Sequence, residues 1–179
     1  MWGIVGNCVT LHANTEIAIR SDMKFIGTTE AKVDSKGRVF LPAMFRRILT
    51  PASPSEGGAA GGEVSLIMRK DLFEDCLVLY TEQTWEQRMN ELTARLSVWS
   101  RHDQALKRRF SADAEWLTLD SNGRLLLPKR YLKMAAIEGE VTFIGMDDTI
   151  EVWASSKLKE HQESEDFAAE IEKVMNVEQ

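Results

Sequence analysis

The sequence predicts an α+β fold made of two copies of one module, and two observations carry this prediction. A nine-residue unit occurs twice, reading DSKGRVFLP at 34–42 and DSNGRLLLP at 120–128, with six of the nine positions identical. Each copy is followed by the same succession of one helix-like and two strand-like segments. Because an internal repeat dictates architecture, the chain is interpreted as two modules joined by a connector and followed by a helix.

Each unit predicts two strands joined by a tight turn. Lys36-Gly37 and Asn122-Gly123 are turn signals, since glycine tolerates positive φ and Asn-Gly favours short hairpins. The carboxylates of Asp34 and Asp120 are expected to bond the backbone two residues on and fix the turns. Apolar residues alternate on both sides of each turn, as in strands that bury one face: Ala31, Val33, Val39 and Leu41 in the first copy, and Leu117, Leu119, Leu125 and Leu127 in the second.

The proline that ends each unit predicts a short helix. Pro42 and Pro128 stop the second strand and suit the first position of a helix. Apolar residues then recur at helical spacing: Phe45, Ile48 and Leu49 in the first copy, and Tyr131, Leu132 and Ala135 in the second. The residues assigned a structural role in the repeated unit are Asp34, Gly37, Pro42, Asp120, Gly123 and Pro128.

Two further strands complete each module. They are predicted at Val64–Met68 and Cys76–Tyr80 around the charged turn Arg69-Lys70-Asp71, and at Glu140–Ile144 and Ile150–Trp153 around Asp147-Asp148. In the first copy, residues 50–62 contain two prolines and four glycines without apolar periodicity, which predicts a flexible loop.

The segment between the modules predicts two helices. Thr84 and Gln87 fit a capping box that opens the first helix. A heptad-like stripe of Trp85, Met89, Leu92, Leu96 and Trp99 follows, and it is interpreted as core or subunit contact rather than a ligand site. We expect the first helix to end near Trp99 and a shorter basic helix to run to about Phe110.

These elements divide the chain into five segments. Residues 1–22 have no repeat partner and are expected to be a disordered extension or not to be translated. The first module is 23–82, the helical connector is 83–111, the second module is 112–155, and a C-terminal helix with an acidic tail is 156–179.

Composition and motifs argue against several classes of protein. The 179 residues are 44% hydrophobic and 28% charged, which is ordinary for a globular protein. Cys8 and Cys76 form no metal or disulfide pattern, the three histidines are isolated, and no apolar run reaches the ~20 residues of a membrane helix. The GxSxG, HExxH and Walker sequences are absent. We therefore expect no enzyme, metal, cofactor or membrane partner, and a cytoplasmic location.

The two aspartates leave one catalytic alternative open. Asp34 and Asp120 are related by the repeat, so they could form a paired acid–base site of the kind found in aspartic proteases and glycosidases. Every strong feature of the unit serves the turn instead, so the structural interpretation is preferred.

The charge distribution favours a polyanionic partner despite a net charge of -6. Residues 160–179 hold seven acids and one base, whereas 24–49 hold six bases and two acids. Local fields decide where a polyanion docks, and arginine can grip phosphate or read guanine. The candidate DNA-binding residues are Arg38, Lys36, Lys32, Arg46, Arg47 and Arg124. Two alternatives remain: a solvated hairpin tip, or an arginine that pairs with the aspartate four residues before it as a structural clip.

Lys24-Phe25-Ile26-Gly27 and the two D-x-x-x-R motifs, Asp34–Arg38 and Asp120–Arg124, resemble the MraZ family of bacterial regulators built from two SpoVT/AbrB-type modules. The resemblance covers about residues 23–153. It implies swapped-hairpin β modules packed as a pseudo-dimer, a ring-shaped homo-oligomer, and sequence-specific binding to promoter direct repeats in double-stranded DNA. It also implies repression of the protein's own division and cell-wall gene cluster, and nucleoid association.

Within this resemblance we expect the first copy to read DNA and the second mainly to complete the pseudo-dimer. Two other functions stay open. The aromatic stripe and acidic tail are compatible with a ring-forming adaptor that binds proteins. An AbrB-type antitoxin is the other alternative, although such chains are usually shorter and have one module.

Overall fold

The computed structural model describes residues 24–49, 64–163 and 167–176. The predictions for residues 1–22 and for the loop at 50–62 lie outside these ranges. Within them the chain forms strands β1 (Phe25–Lys32), β2 (Arg38–Phe40), β3 (Ser65–Lys70), β4 (Cys76–Tyr80), β5 (Ala114–Thr118), β6 (Arg124–Leu126), β7 (Glu140–Asp147) and β8 (Thr149–Ala154). The helices are α1 (Ala43–Leu49), α2 (Glu82–Arg95), α3 (Arg101–Ala112), α4 (Lys129–Met134), α5 (Ser155–Glu163) and α6 (Phe167–Asn176). This mixture of helices and antiparallel strands confirms the α+β class.

The strands form two sheets in which the repeated copies take equivalent places. A six-stranded antiparallel sheet has the order β1-β7-β8-β4-β3-β5, and β2 pairs with β6 in a separate two-stranded ribbon. The counterparts in the two copies are β1 and β5, β3 and β7, and β4 and β8. When each strand is replaced by its counterpart, the large sheet reads in the same order from its other edge. The large sheet therefore has approximate two-fold symmetry, with β4 and β8 at its centre.

The strands on either side of each turn are joined by it but do not pair with one another. β1 pairs with β7 of the second copy along its whole length, from Phe25↔Asp147 to Lys32↔Glu140. β5 pairs in the same way with β3 of the first copy. Turn chemistry governs only the residues within the turn. The choice of strand partner instead follows from burial, because pairing across the copies places both sets of apolar residues in one core.

This core is shared by the two copies. Val39, Phe45, Leu125 and Leu127 are fully buried and belong to one hydrophobic cluster, together with apolar residues of the large sheet. Phe45 of α1 and Tyr131 of α4 confirm the predicted inner faces of the two short helices. Burying an aliphatic or aromatic side chain of this size stabilises the fold by about 1.5–3 kcal/mol.

A second cluster covers the other face of the sheet. Cys76, Val78 and Trp153 pack there against Leu158 of α5. Cys76 is fully buried in this cluster, and its burial raises the pKa of its thiol. A thiol in this state reacts slowly, because the thiolate is the nucleophilic form.

The connector departs from the sequence-based prediction at both ends of its first helix. The N-cap of α2 is Thr81, whose hydroxyl accepts a 3.1 Å hydrogen bond from the N–H of Thr84. The predicted cap at Thr84 is therefore three residues too late. α2 ends at Arg95 instead of Trp99, and Trp99 is 94% exposed.

The corner between α2 and α3 has its own hydrogen bonds. The carboxylate of Asp103 accepts a 2.8 Å bond from the N–H of Ser97, and Asp103 N–H donates to the hydroxyl of Ser100, the N-cap of α3. Capping groups that satisfy the free N–H groups of a helix terminus can override an apolar stripe that continues beyond it. The stripe itself is partly buried, with Trp85 packed against Tyr80 and stacked on Phe110.

The predicted charged turn at Arg69-Lys70-Asp71 was also misplaced. Strand β3 continues through Lys70, and the turn begins at Asp71, whose carboxylate accepts hydrogen bonds from the N–H groups of Phe73 and Glu74. Arg69 consequently lies within the strand, with only 4% of its surface exposed.

Candidate nucleic-acid interface

The first D-x-x-x-R motif forms a turn clamped by its aspartate. Oδ1 of Asp34 accepts 2.9 Å hydrogen bonds from the N–H groups of Lys36 and Arg38, while Oδ2 accepts a 2.7 Å bond from Nε of Arg38. The backbone closes the same turn, because Gly37 N–H donates to the carbonyl of Asp34. The N–H of Arg38, with help from its side chain and the N–H of Lys36, holds the pKa of Asp34 below its usual value.

The second motif repeats this geometry. Asp120 accepts from the N–H groups of Asn122 and Arg124 at 2.9 Å, and from Nε of Arg124 at 2.8 Å. These bonds, led by the N–H of Arg124, again lower the pKa of the aspartate. Both aspartates therefore act as turn acceptors and not as catalytic acids. The structural clip that the sequence left open is present in both copies.

The glycines of the two turns lock the copies together. Gly37 and Gly123 have φ of +88° and +80°, which L side chains rarely adopt. The carbonyl of Gly37 accepts a 2.8 Å bond from the N–H of Leu127, and that of Gly123 accepts a 3.1 Å bond from Leu41. A Cβ at Gly37 would lie 2.5 Å from the backbone oxygen of Leu127, whereas one at Gly123 would meet the guanidinium of Arg46. Each turn is thus closely covered by the other copy.

The ribbon of β2 and β6 places both motif arginines on one face. Arg38 lies opposite Leu126, and Arg124 lies opposite Phe40. Because opposite residues point to the same side of a ribbon, these four side chains share one face, while Val39 and Leu125 point into the core. The two arginines are diagonal neighbours, which corresponds to roughly 7 Å between Cβ atoms.

The clip leaves part of each guanidinium available. In each arginine the aspartate accepts from Nε, and among the described residues no hydrogen bond engages the terminal nitrogens of Arg38 or Arg124. The guanidinium carbon of Arg124 lies 5.8 Å from the ring centre of Phe40, a loose cation–π contact. An arginine held at Nε is oriented in advance, so its outer edge can donate two parallel hydrogen bonds to an acceptor.

Two apolar residues of this ribbon face were not among the predicted site residues. Phe40 is 57% exposed and Leu126 is 55% exposed, although both lie in strands. The alternation that placed Val39 and Leu41 inward also places Phe40 outward, so the sequence contained a signal for it. Large exposed apolar side chains between arginines are typical of a contact surface.

Each short helix packs a side chain against the turn of the opposite copy. Arg46 of α1 lies over Gly123, and Leu132 of α4 lies against Gly37. Arg46 is partly buried, as Arg38 and Arg124 are. Arg47 is exposed near the C-terminus of α1.

The remaining predicted cations differ in their surroundings. Lys36 is exposed at the tip of the first turn, where Asn122 takes its place in the second copy. Lys32 lies at the end of β1 and forms an exposed 3.3 Å ion pair with Glu140. Such a pair contributes about 0–1 kcal/mol, so it can open at little cost when a phosphate competes for the lysine.

From the turn to the end of the short helix, the two copies hold equal numbers of basic residues. Segments 34–49 and 120–135 each hold four basic residues and one acid. Arg130 of α4 is engaged, because its guanidinium bonds the carboxylate of Glu115 and the hydroxyl of Tyr131. Lys129 and Lys133 are exposed. Exposed basic residues therefore accompany the turns of both copies.

Among the described residues no three His, Cys, Asp or Glu side chains come together as metal ligands. No helix in the described part of the chain is long and apolar enough to cross a bilayer.

Comparison with known proteins identifies the family of this chain. A family model described as "MraZ protein, putative antitoxin-like" matches residues 110–175. The transcriptional regulator MraZ of Phocaeicola vulgatus is 49% identical over 154 residues, which are 86% of this chain and 94% of that protein. The corresponding regulators of Bacteroides fragilis and Bacteroides thetaiotaomicron are each 45% identical, over 87% and 86% of this chain respectively and 94% of their own lengths.

These relatives are named as regulators of transcription, in agreement with the prediction that this protein is not an enzyme. With such identity over most of both sequences, the chain belongs to the MraZ family.

Proposed function

We propose that this protein is a sequence-specific DNA-binding regulator of transcription whose β2–β6 ribbon enters the major groove. The observation that carries the proposal is that Arg38 and Arg124 lie on one exposed ribbon face, each held at Nε by an aspartate. The major groove of B-DNA admits a two-stranded ribbon and presents a distinct pattern of hydrogen-bonding groups for each base pair. The names of the relatives support the same function.

The proposed reading is bidentate recognition of guanine by both arginines. The outer edge of a guanidinium donates to O6 and N7 of guanine, which is the commonest specific contact in the major groove. Phe40 and Leu126, exposed beside the arginines, suit the methyl group of thymine. A site that combines guanine and thymine within a few base pairs would satisfy all four side chains. In this proposal both copies read DNA, in place of the expectation that only the first does.

Phosphate contacts are assigned to the exposed cations around the ribbon. Lys36, Arg47, Lys129 and Lys133 are accessible, and Lys32 is held only by an exposed ion pair. Lysine and arginine bound to phosphates position a protein and make its affinity depend on salt. Arg46 is proposed to support the second turn, since it packs over Gly123.

The finer parts of the function rest on the family resemblance. We propose that the exchange of strands between copies represents two swapped-hairpin modules packed as a pseudo-dimer, which the pairing of β1 with β7 and β5 with β3 supports. We further propose a cytoplasmic, nucleoid-associated ring of several subunits that binds promoter direct repeats and represses its own division and cell-wall gene cluster. A ring would multiply the few base contacts of each subunit through effective concentration.

An antitoxin is the second candidate, and it is favoured by one observation. The matching family model carries the words "antitoxin-like" in its description. An antitoxin requires a toxin that it neutralises, so co-expression with each neighbouring gene would relieve growth inhibition by one of them. If no neighbouring gene inhibits growth, the antitoxin hypothesis is excluded and the regulator hypothesis remains.

Sequencing of DNA that co-purifies with the full chain tests the proposed function. We expect enrichment of a short repeated site from the region upstream of the protein's own gene, and loss of this enrichment in the Arg38→Ala, Arg124→Ala double variant. Recovery of DNA without any enriched site, or enrichment that survives in the double variant, would contradict sequence-specific reading by the ribbon.

A further inference from the structure

A cavity lies between the β3–β4 turn and the two connector helices, on residues that the proposed DNA interface does not use. Its volume is about 330 Å³, and it contains three arginines, two acids and five apolar or aromatic residues: Arg69, Arg88, Arg95, Asp71, Glu91, Leu72, Phe73, Tyr80, Leu92 and Phe110. This volume is in the range of sites for small molecules and is too small for a folded segment of another protein.

The guanidinium of the buried arginine in this cavity, Arg69, forms no ion pair or hydrogen bond among the described residues, although the charges of Asp71 and Asp113 favour its charged form. Arg69 is only 4% exposed, and its Nε is buried without a hydrogen-bond partner. Its guanidinium carbon lies 3.9 Å from the ring centre of Phe110, which covers one face but accepts no hydrogen bond in the plane of the group. Burial lowers the pKa of Arg69, although an arginine remains charged at neutral pH. A buried charge without a hydrogen-bonded partner is costly and calls for an anion.

The acids of the cavity are already engaged elsewhere. Asp71 accepts the N–H groups of its own turn, and Glu91 bonds Gln87 and Arg88. Arg88 also pairs with Asp148 at 2.9 Å. The two cations left to face the cavity are Arg69 and Arg95, and among the described residues neither forms an ion pair.

We propose that this cavity binds a small organic anion, whose carboxylate or phosphate group contacts Arg69 and Arg95 and whose apolar body packs on Leu72, Phe73 and Leu92. Phe110 is unavailable for stacking, because Arg69 and Trp85 both lie against it. Leu72 and Phe73 are exposed without such a ligand, and Phe73 is 90% exposed. A ligand with both an anionic and an apolar part would therefore satisfy the unpaired charge and cover the apolar rim together.

The proposal is tested by titrating the full chain with phenyl phosphate, using isothermal calorimetry and amide chemical shifts. Inorganic phosphate supplies only the anionic group and phenol only the apolar ring, so the two serve as ligand controls. Saturable binding of phenyl phosphate is expected, with inorganic phosphate and phenol binding about tenfold or more weakly. Arg69→Met and Arg95→Ala should each weaken binding about ten- to hundredfold, since each removes a charged hydrogen-bond donor.

Matched variants separate binding from folding. Arg108→Ala removes an exposed cation from α3 that does not line the cavity, and it should leave binding unchanged. Arg69→Met should raise the unfolding midpoint of the unliganded protein, because it removes a buried charge whose guanidinium has no hydrogen-bonded partner. If that variant does not fold, Arg69→Lys and Arg95→Ala still test the contacts with the ligand.

Two results would overturn the proposal. The first is failure of phenyl phosphate to bind, and the second is binding that neither Arg69→Met nor Arg95→Ala weakens. In the first case, a change in the molecular mass of both variants by light scattering would assign the cavity to a carboxylate of a neighbouring subunit. Because DNA binding does not enter this experiment, its failure would leave the proposed regulatory function untouched.

Discussion

Replacing Arg38 and Arg124 by alanine, singly and together, tests the reading of DNA by the β2–β6 ribbon. Each arginine donates from Nε to its aspartate and presents its terminal nitrogens on the same exposed face. Because the copies have the same geometry, the two single variants should lose affinity to a similar extent. If only the first copy read DNA, Arg38→Ala alone would lose affinity.

The magnitude follows from the contacts that each arginine can make. A bidentate arginine–guanine pair contributes about 1–3 kcal/mol of discrimination, which is about 5- to 150-fold in affinity at 25 °C. The two residues are diagonal neighbours roughly 7 Å apart. Each base step rises by about 3.4 Å, so a ribbon aligned with the groove brings the two arginines to guanines about two base pairs apart.

The assay is a fluorescence-anisotropy titration of the region upstream of the protein's own gene at fixed salt. Arg108→Ala is the matched control, since it removes one exposed positive charge from α3. Unrelated DNA of equal length measures the non-specific part. Both motif variants should lose specific binding while retaining most of their non-specific binding.

Two results would refute this reasoning. Equal losses in Arg38→Ala and Arg108→Ala would mean that charge alone matters. A loss in Arg38→Ala without any loss in Arg124→Ala would mean that only the first copy reads DNA.

Three predictions concern the repeated turns and the core beneath them. Gly37→Ala should destabilise the protein by at least ~1 kcal/mol more than Gly123→Ala in urea unfolding, because both carry the ~1–2 kcal/mol strain of positive φ but only the Gly37 Cβ meets a backbone atom. The carboxylates of Asp34 and Asp120 have lowered pKa values, so the stability they add is present above their ordinary pKa of 3.8 and is lost as pH falls through the folded values. The unmodified protein should therefore lose more stability between about pH 5 and pH 2 than the Asp34→Asn, Asp120→Asn double variant. Leu125→Ala should cost about 2–5 kcal/mol of unfolding free energy, since this fully buried side chain lies in the core shared by both copies.

Each of these predictions has a contradicting result. Equal losses at the two glycines would mean that the backbone near Gly37 relaxes around an added methyl group. Parallel pH profiles would mean that the turns hold without charged carboxylates. A loss of unfolding free energy below ~1 kcal/mol in Leu125→Ala would mean that the ribbon contributes little to the core. The control for all three predictions is an exposed substitution such as Arg108→Ala.

The local structure of the repeated unit could be predicted, because its determinants lie within a few residues of one another. An aspartate that bonds the next residues, a glycine at positive φ and a proline before a helix act at short range. The turns after Asp34 and Asp120 and the helices α1 and α4 follow from these alone. The buried places of Val39 and Leu125 follow from alternation.

The choice of strand partners could not be read from the same signals. The residues of β1 and β5 show which face is apolar but not which strand they will pair with, and a turn between two strands suggests the nearer partner. The large sheet instead joins each to a strand of the other copy. The two copies also pair β2 with β6, which places Arg38 and Arg124 on a single ribbon.

Charged residues within the core were missed for a related reason. Arg69 follows an apolar run and precedes lysine and aspartate, so its position looked like a turn. In the structure the strand continues, and Phe110 from α3 covers the guanidinium. A contact between residues so far apart in sequence leaves no local pattern, and therefore only the structure identified the cavity.

Methylation protection of guanine N7 is the measurement that tests the central claim most directly. Dimethyl sulfate methylates N7 in the major groove, the acceptor that a bidentate arginine covers. We expect two protected guanines about two base pairs apart for each bound subunit, with one protection lost in Arg38→Ala and the other in Arg124→Ala. Fully bound DNA whose guanines are all methylated at N7 would contradict reading of the major groove by this ribbon.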